Sequence, residues 1–588
     1  MPGRPSLSRR RSTFVCLAVL AIVLATFGWV AVRGMSARDR LESARTQTKQ
    51  LRTQILGGDI VAARRTLGRV QADTSRARGI TDDPVWRLVR SIPLLGDTPR
   101  AVSGIAAASD IVSQSVLPPL LTAADVLTPA ELRPSGSRID VEKLRRTQPH
   151  LDQALASITL ARGSISDGAW LLPQVRQGVQ EADRSLRQLM GVTRSATRAT
   201  RLLPPMLGTG GVRRYLVAIQ NPAESRGTGG LIGAYGVLEA RDGSLRLLRL
   251  GPNSDLRNAS RLPLDLGENY HSLYGDDPAI WLNSNLSPHF PYAAQIWLAL
   301  WRLQFSEQLD GVIATDAVAL GYLVAAAPSL EPVKGVRLTG ETTADFLTRG
   351  IYERFPEPSQ NDLRDRFLTR IGAVAVRGLL RTDTDARELL KGTIRAVAEG
   401  RLAVFSNHPA EQAILRQTRA GRLLPRENRA FVSVVVNNGA RNKLDVYLDR
   451  TVRYTLGPCV RGKRNTRIEI ALTNVSPSGL PAYVVGDFKD GSTRDDPPVG
   501  TNRLLVYVFV TPGAALTGAT LDGEPLDVRF GTERRHPVFL FQLDLPPHRV
   551  RRTVLELVEP AGVDPPQIAE QPLVRSQRSV IRASICSD

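Results

Sequence analysis

Apolar positions fall along this chain in three rhythms, and each predicts a different architecture. The first is unbroken. Residues 14–32 carry no charge and follow directly on Arg9, Arg10 and Arg11. A helix of that length, rising about 1.5 Å per residue, spans roughly 28 Å, close to the hydrocarbon thickness of a bilayer. The pattern predicts a transmembrane helix over 14–33 and a basic cytoplasmic tail over 1–13, with the bulk of the chain emerging on the outer face. A cleaved signal peptide is the competing reading. Its apolar core would be shorter, and residues 29–33 offer no small-x-small cleavage site. Residues 318–327 are apolar but too short to span, so the chain is expected to cross the membrane once.

The second rhythm is helical and covers 35–205. Leu56-Gly57-Gly58 breaks the first helix, and Asp59 is placed to cap the next, whose stripe runs Ile60, Ala63, Leu67, Val70. Val175, Val179, Ala182, Leu186 and Leu189 recur at steps of four, three, four and three. This forms one narrow seam, with Arg176, Glu181, Arg184 and Arg187 on the other faces. Such a seam packs an antiparallel bundle or joins two copies in a coiled coil; the bundle is the expectation. Between helices, the proline-punctuated apolar stretch 86–99 reads as a buried turn or as a loop lying on the bilayer.

The third rhythm has a period of two. Strand-like runs at 215–219, 235–240 and 245–250, with Asp242-Gly243 as a hairpin signal, are followed by helical stretches at 293–303, 316–327, 342–352 and 361–381 and a strand at 311–314. This predicts a central α/β domain over 210–425. Short strands separated by Gly, Pro and Asn turns predict a β-sandwich over 430–560, with 561–588 as a tail. The fold class is therefore multi-domain: an N-terminal transmembrane helix, an α-helical bundle, a central α/β domain and a C-terminal β-sandwich.

Composition narrows the chemistry. The net charge is +20, but only seven of the 77 basic residues are lysine, and the arginines are scattered among carboxylates rather than gathered in a tract. No nucleic-acid partner is expected; an anionic envelope polymer or lipid headgroup suits such a field better. Of the three cysteines, Cys16 lies in the expected span, while Cys459 and Cys586 could form one disulfide if their geometry allows. No H-E-x-x-H, G-x-S-x-G, Walker loop or Cys/His cluster occurs, and His271 and His289 read as packing or surface residues.

The most informative segment is Gln220-Asn221-Pro-Ala-Glu224-Ser-Arg226-Gly-Thr228-Gly229-Gly230. It joins two predicted strands, and its glycines let backbone N–H groups approach a phosphate or simply make a tight turn. Together with the 86–99 stretch and Asn438-Gly-x-x-Asn442-Lys-Leu-Asp445, it resembles an uncharacterised membrane-anchored envelope family, the domain of unknown function four-zero-one-two. The likeness covers most of 86–510. It implies a place and an architecture but no activity.

The order of parts in the middle domain is also similar to the LytR-CpsA-Psr phosphotransferases, which move glycan phosphates from a polyprenyl-pyrophosphate carrier. Arg226-Gly-Thr228 stands where that family has R-S-D-T. Residues 309–320 resemble its strand and apolar helix, and Asp362, Arg366 and Arg370 echo its D-x-x-R-x-x-R helix. The family's metal-binding aspartate has no counterpart; Glu224 is the nearest carboxylate, and Gly251-Pro-Asn-Ser-Asp255 replaces I-P-R-D. This resemblance implies Arg226, Thr228, Gly229, Gly230, Arg366 and Arg370 as candidate phosphate-binding residues, with Glu224 and Asp362 as candidate metal ligands.

Three functions follow. The leading one is an extracytoplasmic, single-pass envelope protein that binds cell-wall glycan or polyprenyl-phosphate-linked glycan through an arginine-lined pocket in the central domain. The second is an active Mg²⁺-dependent glycopolymer transferase, the only reading that needs a cofactor. The third is a non-catalytic scaffold.

Overall fold

The computed structural model describes residues 7–93, 95–126, 138–166, 168–327, 330–381, 384–426, 429–486, 497–562 and 564–584; it does not describe the side chains of 7–16, 18, 19, 22, 23 and 56. The chain forms two compact units, Met1–Pro134 with Ile139–Met206, and Ser135–Arg138 with Leu207–Asp588.

The first unit is helical. Helix α1 (Leu7–Gly57) contains the segment expected to span a membrane. Among the described residues no helix is long and apolar enough to cross a membrane. Seven of the side chains in 14–33 lie outside the described set, and Leu17, Leu20, Leu24, Phe27, Trp29 and Val32 are exposed. Gly58 takes a φ of +82° after the helix, and the Asp59 carboxylate accepts the Ala62 N–H at 2.9 Å, starting α2 (Ile60–Ile80). The buried stripe Ala63, Leu67 of α2 packs with Leu51 of α1. Helices α3 (Pro84–Arg90), α4 (Asp97–Ile111) and α5 (Leu117–Val126) follow. In α6 (Val141–Gly163), Ala154, Ile158 and Ala161 meet Leu186 and Met190 of α7 (Pro173–Met206). The seam of α7 thus packs within its own chain and continues at the same spacing through buried Thr193, Thr197 and Thr200.

In the second unit, β1 (Arg213–Arg226), β2 (Gly229–Arg241), β3 (Ser244–Pro252), β4 (Gly311–Asp316) and β5 (Ala403–Ser406) make one sheet in the order β3-β2-β1-β4-β5. Only β1 and β4 run parallel within it. Asp242 and Gly243 both have positive φ, as a tight two-residue hairpin of this hand requires. Helix α8 (Glu268–Tyr274) and α9 (Phe290–Phe305) precede β4; α10 (Ala317–Val324) and α11 (Asn361–Leu379) follow it.

Two further sheets form a sandwich. One is β6 (Phe431–Asn438), β9 (Asn502–Val510), β12 (Arg529–Glu533), β13 (His536–Leu545) and β15 (Gln567–Ala569), ordered β12-β13-β9-β6-β15. The other contains β7 (Leu448–Val460), β8 (Lys463–Asn474), β10 (Ala515–Leu521), β11 (Glu524–Pro525), β14 (Val550–Pro560) and β16 (Arg578–Ala583).

The sandwich is not a separate body, as boundaries at 425 and 430 would have it. Successive residues of a strand face opposite sides, and here both sides are buried. Val432, Val434 and Val436 of β6, with Val506 and Val508 of β9, fill the sandwich. Their neighbours Phe431, Val435, Tyr507 and Phe509 join Phe290, Trp297 and Trp301 of α9 and Leu216 of β1 in a second core. One sheet therefore serves two interiors and fuses the domains.

The described part of the expected 561–588 tail is built into the two sheets. β15 pairs in parallel with β6, and β16 with β7, where these short runs lack the length to be read as strands from sequence. The segment between them is clamped by side chains. Gln571 donates to Val436 O (2.8 Å) and accepts from Val436 N (3.0 Å), as a neighbouring strand would. Arg401 donates to Leu573 O (2.8 Å) and to the buried Asp316 carboxylate (2.9 Å), and Arg450 donates to Gln571 O and Arg575 O, both at 3.1 Å. Cys459 in β7 is disulfide-bonded. Cys586, its expected partner, lies outside the described residues, as does the side chain of Cys16.

Two predictions test this core. Removing one member of a buried ion pair strands the other, at a cost of about 3–5 kcal/mol. Arg401→Ala should therefore lower the thermal unfolding temperature sharply, while the exposed Arg395→Ala leaves it nearly unchanged. Glu533 is buried and, among the described residues, its carboxylate is hydrogen-bonded only by hydroxyls, Tyr274 at 2.8 Å and Ser287 at 2.7 Å. Burial lifts its pKa from 4.5 to about 7, more than those donors lower it. Its contribution to stability is thus fully present below pH 4.5 and is lost as pH rises through 7. Glu533→Gln should gain on the wild type by up to about 3 kcal/mol between pH 5 and pH 8. An identical difference in unfolding temperature at both pH values would refute the coupling.

Candidate functional site

The 220–230 segment owes its shape to a break in pairing. β1 and β2 pair, with one register shift between Ile219 and Gln220, as far as Asn221 opposite Leu231; pairing resumes at Ser225 opposite Gly230, so residues 222–224 bulge out. Pro222 has no N–H to offer a ladder, and the Asn221 side chain accepts the Ala223 N–H at 3.1 Å, turning the chain outward. The bulge aims Glu224 at Lys443, 2.9 Å away. After it, Gly230 lies so close to the opposite strand that a Cβ would sit 2.1 Å from Asn221 O, and Gly229 has a φ of +129°. These glycines serve close backbone packing.

The Asn438–Asp445 motif folds onto this bulge. The Asp445 carboxylate is fully buried and accepts the Ser225 N–H (2.7 Å), Asn438 Nδ2 (2.9 Å) and Asn502 Nδ2 (2.7 Å). Burial raises its pKa despite these donors. Asn438 also donates to Asn442 Oδ1 at 2.8 Å, which holds the turn leading to Lys443. Two motifs more than two hundred residues apart thus form one polar knot.

Arg226 lies inside that knot. Its guanidinium donates to Leu282 O (2.8 Å), Ser225 O (2.8 Å), Asn438 O (3.2 Å) and Asn283 Oδ1 (3.1 Å), and burial lowers its pKa. Thr228 is equally enclosed: its hydroxyl lies 2.7 Å from the Gln220 amide and 2.6 Å from Asn285 Nδ2. Neither residue is open to a phosphate.

Asp362, Arg366 and Arg370 do share one face of α11, and it is the exposed one. The buried stripe of this helix is Arg364, Phe367, Ile371 and Ala375. At about 100° per residue, Arg366 points roughly 200° away from Arg364. It is Arg364 that meets the motif region: its guanidinium stacks 3.7 Å from the Tyr483 ring centroid and 5.7 Å from that of Tyr352, whose hydroxyl accepts from Asn221 at 2.7 Å. Lys443 Nζ lies 4.7 Å from the same Tyr483 ring. The expected convergence of Arg226, Arg366 and Arg370 on one pocket does not occur. Glu224 and Asp362 do not meet either, one being paired with Lys443 and the other exposed. Among the described residues no group of three or more His, Cys, Asp or Glu could hold a metal ion. His289 is buried, with Nδ1 accepting the Leu424 N–H at 3.1 Å, and so has a packing role.

Arginines do converge in the helical unit. A cleft of about 920 Å³ is lined by Arg162 at the end of α6, by Arg176, Arg184 and Arg187 on α7, and by Gly163, Ile165, Gly168 and Leu171 between the two helices. Among the described residues Asp183 is the one lining carboxylate, 3.2 Å from Arg162 and 2.5 Å from Arg187. Arg176 and Arg184 have no polar partner among the described residues. The sequence placed Arg176, Arg184 and Arg187 on the outer faces of the seam but could not show that Arg162, Ile165 and Leu171 line a cleft with them.

Residues 210–352 match the model of a family described as a protein of unknown function, DUF4012, and that stretch of the chain is similar to it. The matched region contains the bulge, Arg226 and Tyr352, but not the Asn438–Asp445 motif that completes the knot. No curated protein and no solved structure matches the chain, so the likeness to LytR-CpsA-Psr enzymes gains no support.

Arg226→Ala would leave several buried carbonyls without a donor, at about 1–3 kcal/mol each. It should destabilise the second unit by more than about 3 kcal/mol, whereas Arg366→Ala, on the exposed face, should change stability by less than about 0.5 kcal/mol. Thermal unfolding of the two variants checks both.

Proposed function

We propose that this is a membrane-anchored protein of the cell envelope, exposed outside the cytoplasm, that binds a phosphate-bearing anionic ligand in the arginine-lined cleft of its helical unit. The ligand class is a phospholipid or polyprenyl-phosphate headgroup, with or without attached glycan. The observation that carries this reading is the set of four arginines facing one cleft that, among the described residues, has a single carboxylate and leaves two of the arginines unpaired. An excess of cations in a concave site concentrates field on an anion, and guanidinium groups bind phosphate with two parallel donors. The anchor rests on the uncharged stretch 14–32 after three arginines, and on the exposure of its described apolar side chains. The second unit, fused through its doubly buried sheet and the Asp445 knot, serves as a rigid scaffold.

Binding of the full chain in detergent micelles to a short polyprenyl phosphate, compared with the matching neutral polyprenol, tests the proposal. The phosphate should bind, increasingly weakly as salt rises. The Arg176→Ala/Arg184→Ala double variant should bind about tenfold to a hundredfold more weakly, the loss of one or two charge-assisted hydrogen bonds. Equal affinity for the neutral lipid, or an unaltered double variant, would overturn it.

A further inference from the structure

The anchoring helix is not the only part of the first unit suited to lipid. Where the apolar stretch of α1 ends, the helix is tied to α3: Arg33 pairs with Asp83 at 3.2 Å, and a Cβ on Gly34 would meet the Trp86 ring at 3.5 Å. Trp86 itself is buried, its indole N–H reaching Ser103 Oγ at 2.8 Å. The residues around it turn outward. Leu88 is 66 % exposed and Leu95 58 %, with Val85 and Ile92 also exposed.

A second loop is fastened to the same place. The Trp170 N–H donates to the Asp97 carboxylate (3.1 Å) and the Leu172 N–H to Thr98 Oγ1 (3.2 Å), while the Trp170 and Leu172 side chains are 67 % and 59 % exposed. Helix α3, the turn after it and the second loop thus present six large apolar side chains, beside the point where Trp29, Val32 and Met35 of α1 are exposed as well. An apolar patch of this kind marks a binding surface. Its continuity with the apolar stretch of α1 identifies the occupant. Arg87 on α3, exposed and without a polar partner among the described residues, supplies the charge that suits anionic headgroups. Tryptophan, apolar at its body and polar at its tip, is the residue that settles at such an interface.

We infer that Val85, Leu88, Ile92 and Leu95, with Trp170 and Leu172, form a foot that inserts into the headgroup–acyl boundary of an anionic bilayer. The foot holds the helical unit against the membrane from which α1 emerges. This rests on the anchoring reading. The arginine-lined cleft, which includes Leu171 and Arg176, opens next to the second loop and so faces lipid at headgroup level.

The test uses the full chain reconstituted in vesicles of phosphatidylglycerol and phosphatidylcholine. A photoreactive diazirine amino acid is placed singly at Leu24, Leu88, Leu95 or Val192, and lipid adducts are read by mass spectrometry after illumination. Val192 is 64 % exposed but lies some 30 Å along α7 from Leu172. Adducts at Leu24, Leu88 and Leu95 in several-fold excess over Val192 are expected. Adducts at Leu24 with Leu88 and Leu95 at the Val192 level would overturn the foot and leave the anchor standing. Their absence at Leu24 would overturn the anchor itself. Protein–protein crosslinks at Leu88 and Leu95 in place of lipid adducts would overturn the foot by assigning the patch to another chain.

Discussion

A carboxylate sealed from water with no cation bonded to it must be satisfied by neutral donors, and Asp445 takes them from three places at once. Ser225 is the last residue but one of β1, Asn438 ends β6 and Asn502 begins β9. An unmet charge at such a site costs more than most single interactions return, so these three strand ends cannot separate. The bulge before Ser225, the burial of Arg226 and the Glu224–Lys443 pair all follow from holding that junction closed. Arg226 answers the charge without touching it. Its own bonds go to carbonyls, while Glu224 and Asp445 favour its positive form.

Much of the local structure could be read directly from residues. Asp59 after two glycines, Asp242-Gly243 between apolar runs and the four-three rhythm of Val175 to Leu189 each encode a local geometry that tertiary packing leaves intact. What could not be read was direction. Spacing places Asp362, Arg366 and Arg370 on one helical face, but only the burial of Phe367, Ile371 and Ala375 says which face it is. That stripe was visible in the sequence, and extending it backwards would have singled out Arg364 instead. Likewise the Val-Val-Val run of β6 announces a strand, yet nothing in it reveals that both of its sides are covered.

The arginine content is misleading for a related reason. Arg226, Arg364, Arg401 and Arg450 are buried, and each donates to backbone carbonyls that no strand or helix satisfies. A planar group with five donors suits that task better than an ammonium. These arginines work as internal stitching and are not available to a ligand. The cleft on α7 stands out because its arginines are not spent in this way.

The placement of β15 and β16 has a temporal consequence. Each completes the edge of a sheet whose neighbouring strand, β6 or β7, was synthesised more than a hundred residues earlier. During vectorial synthesis those edges wait unpaired, with their N–H and C=O groups open to any other strand. The slow step in maturing this unit is then the arrival of its closing segment, and a nascent chain stalled short of residue 567 would be the form most exposed to misassembly.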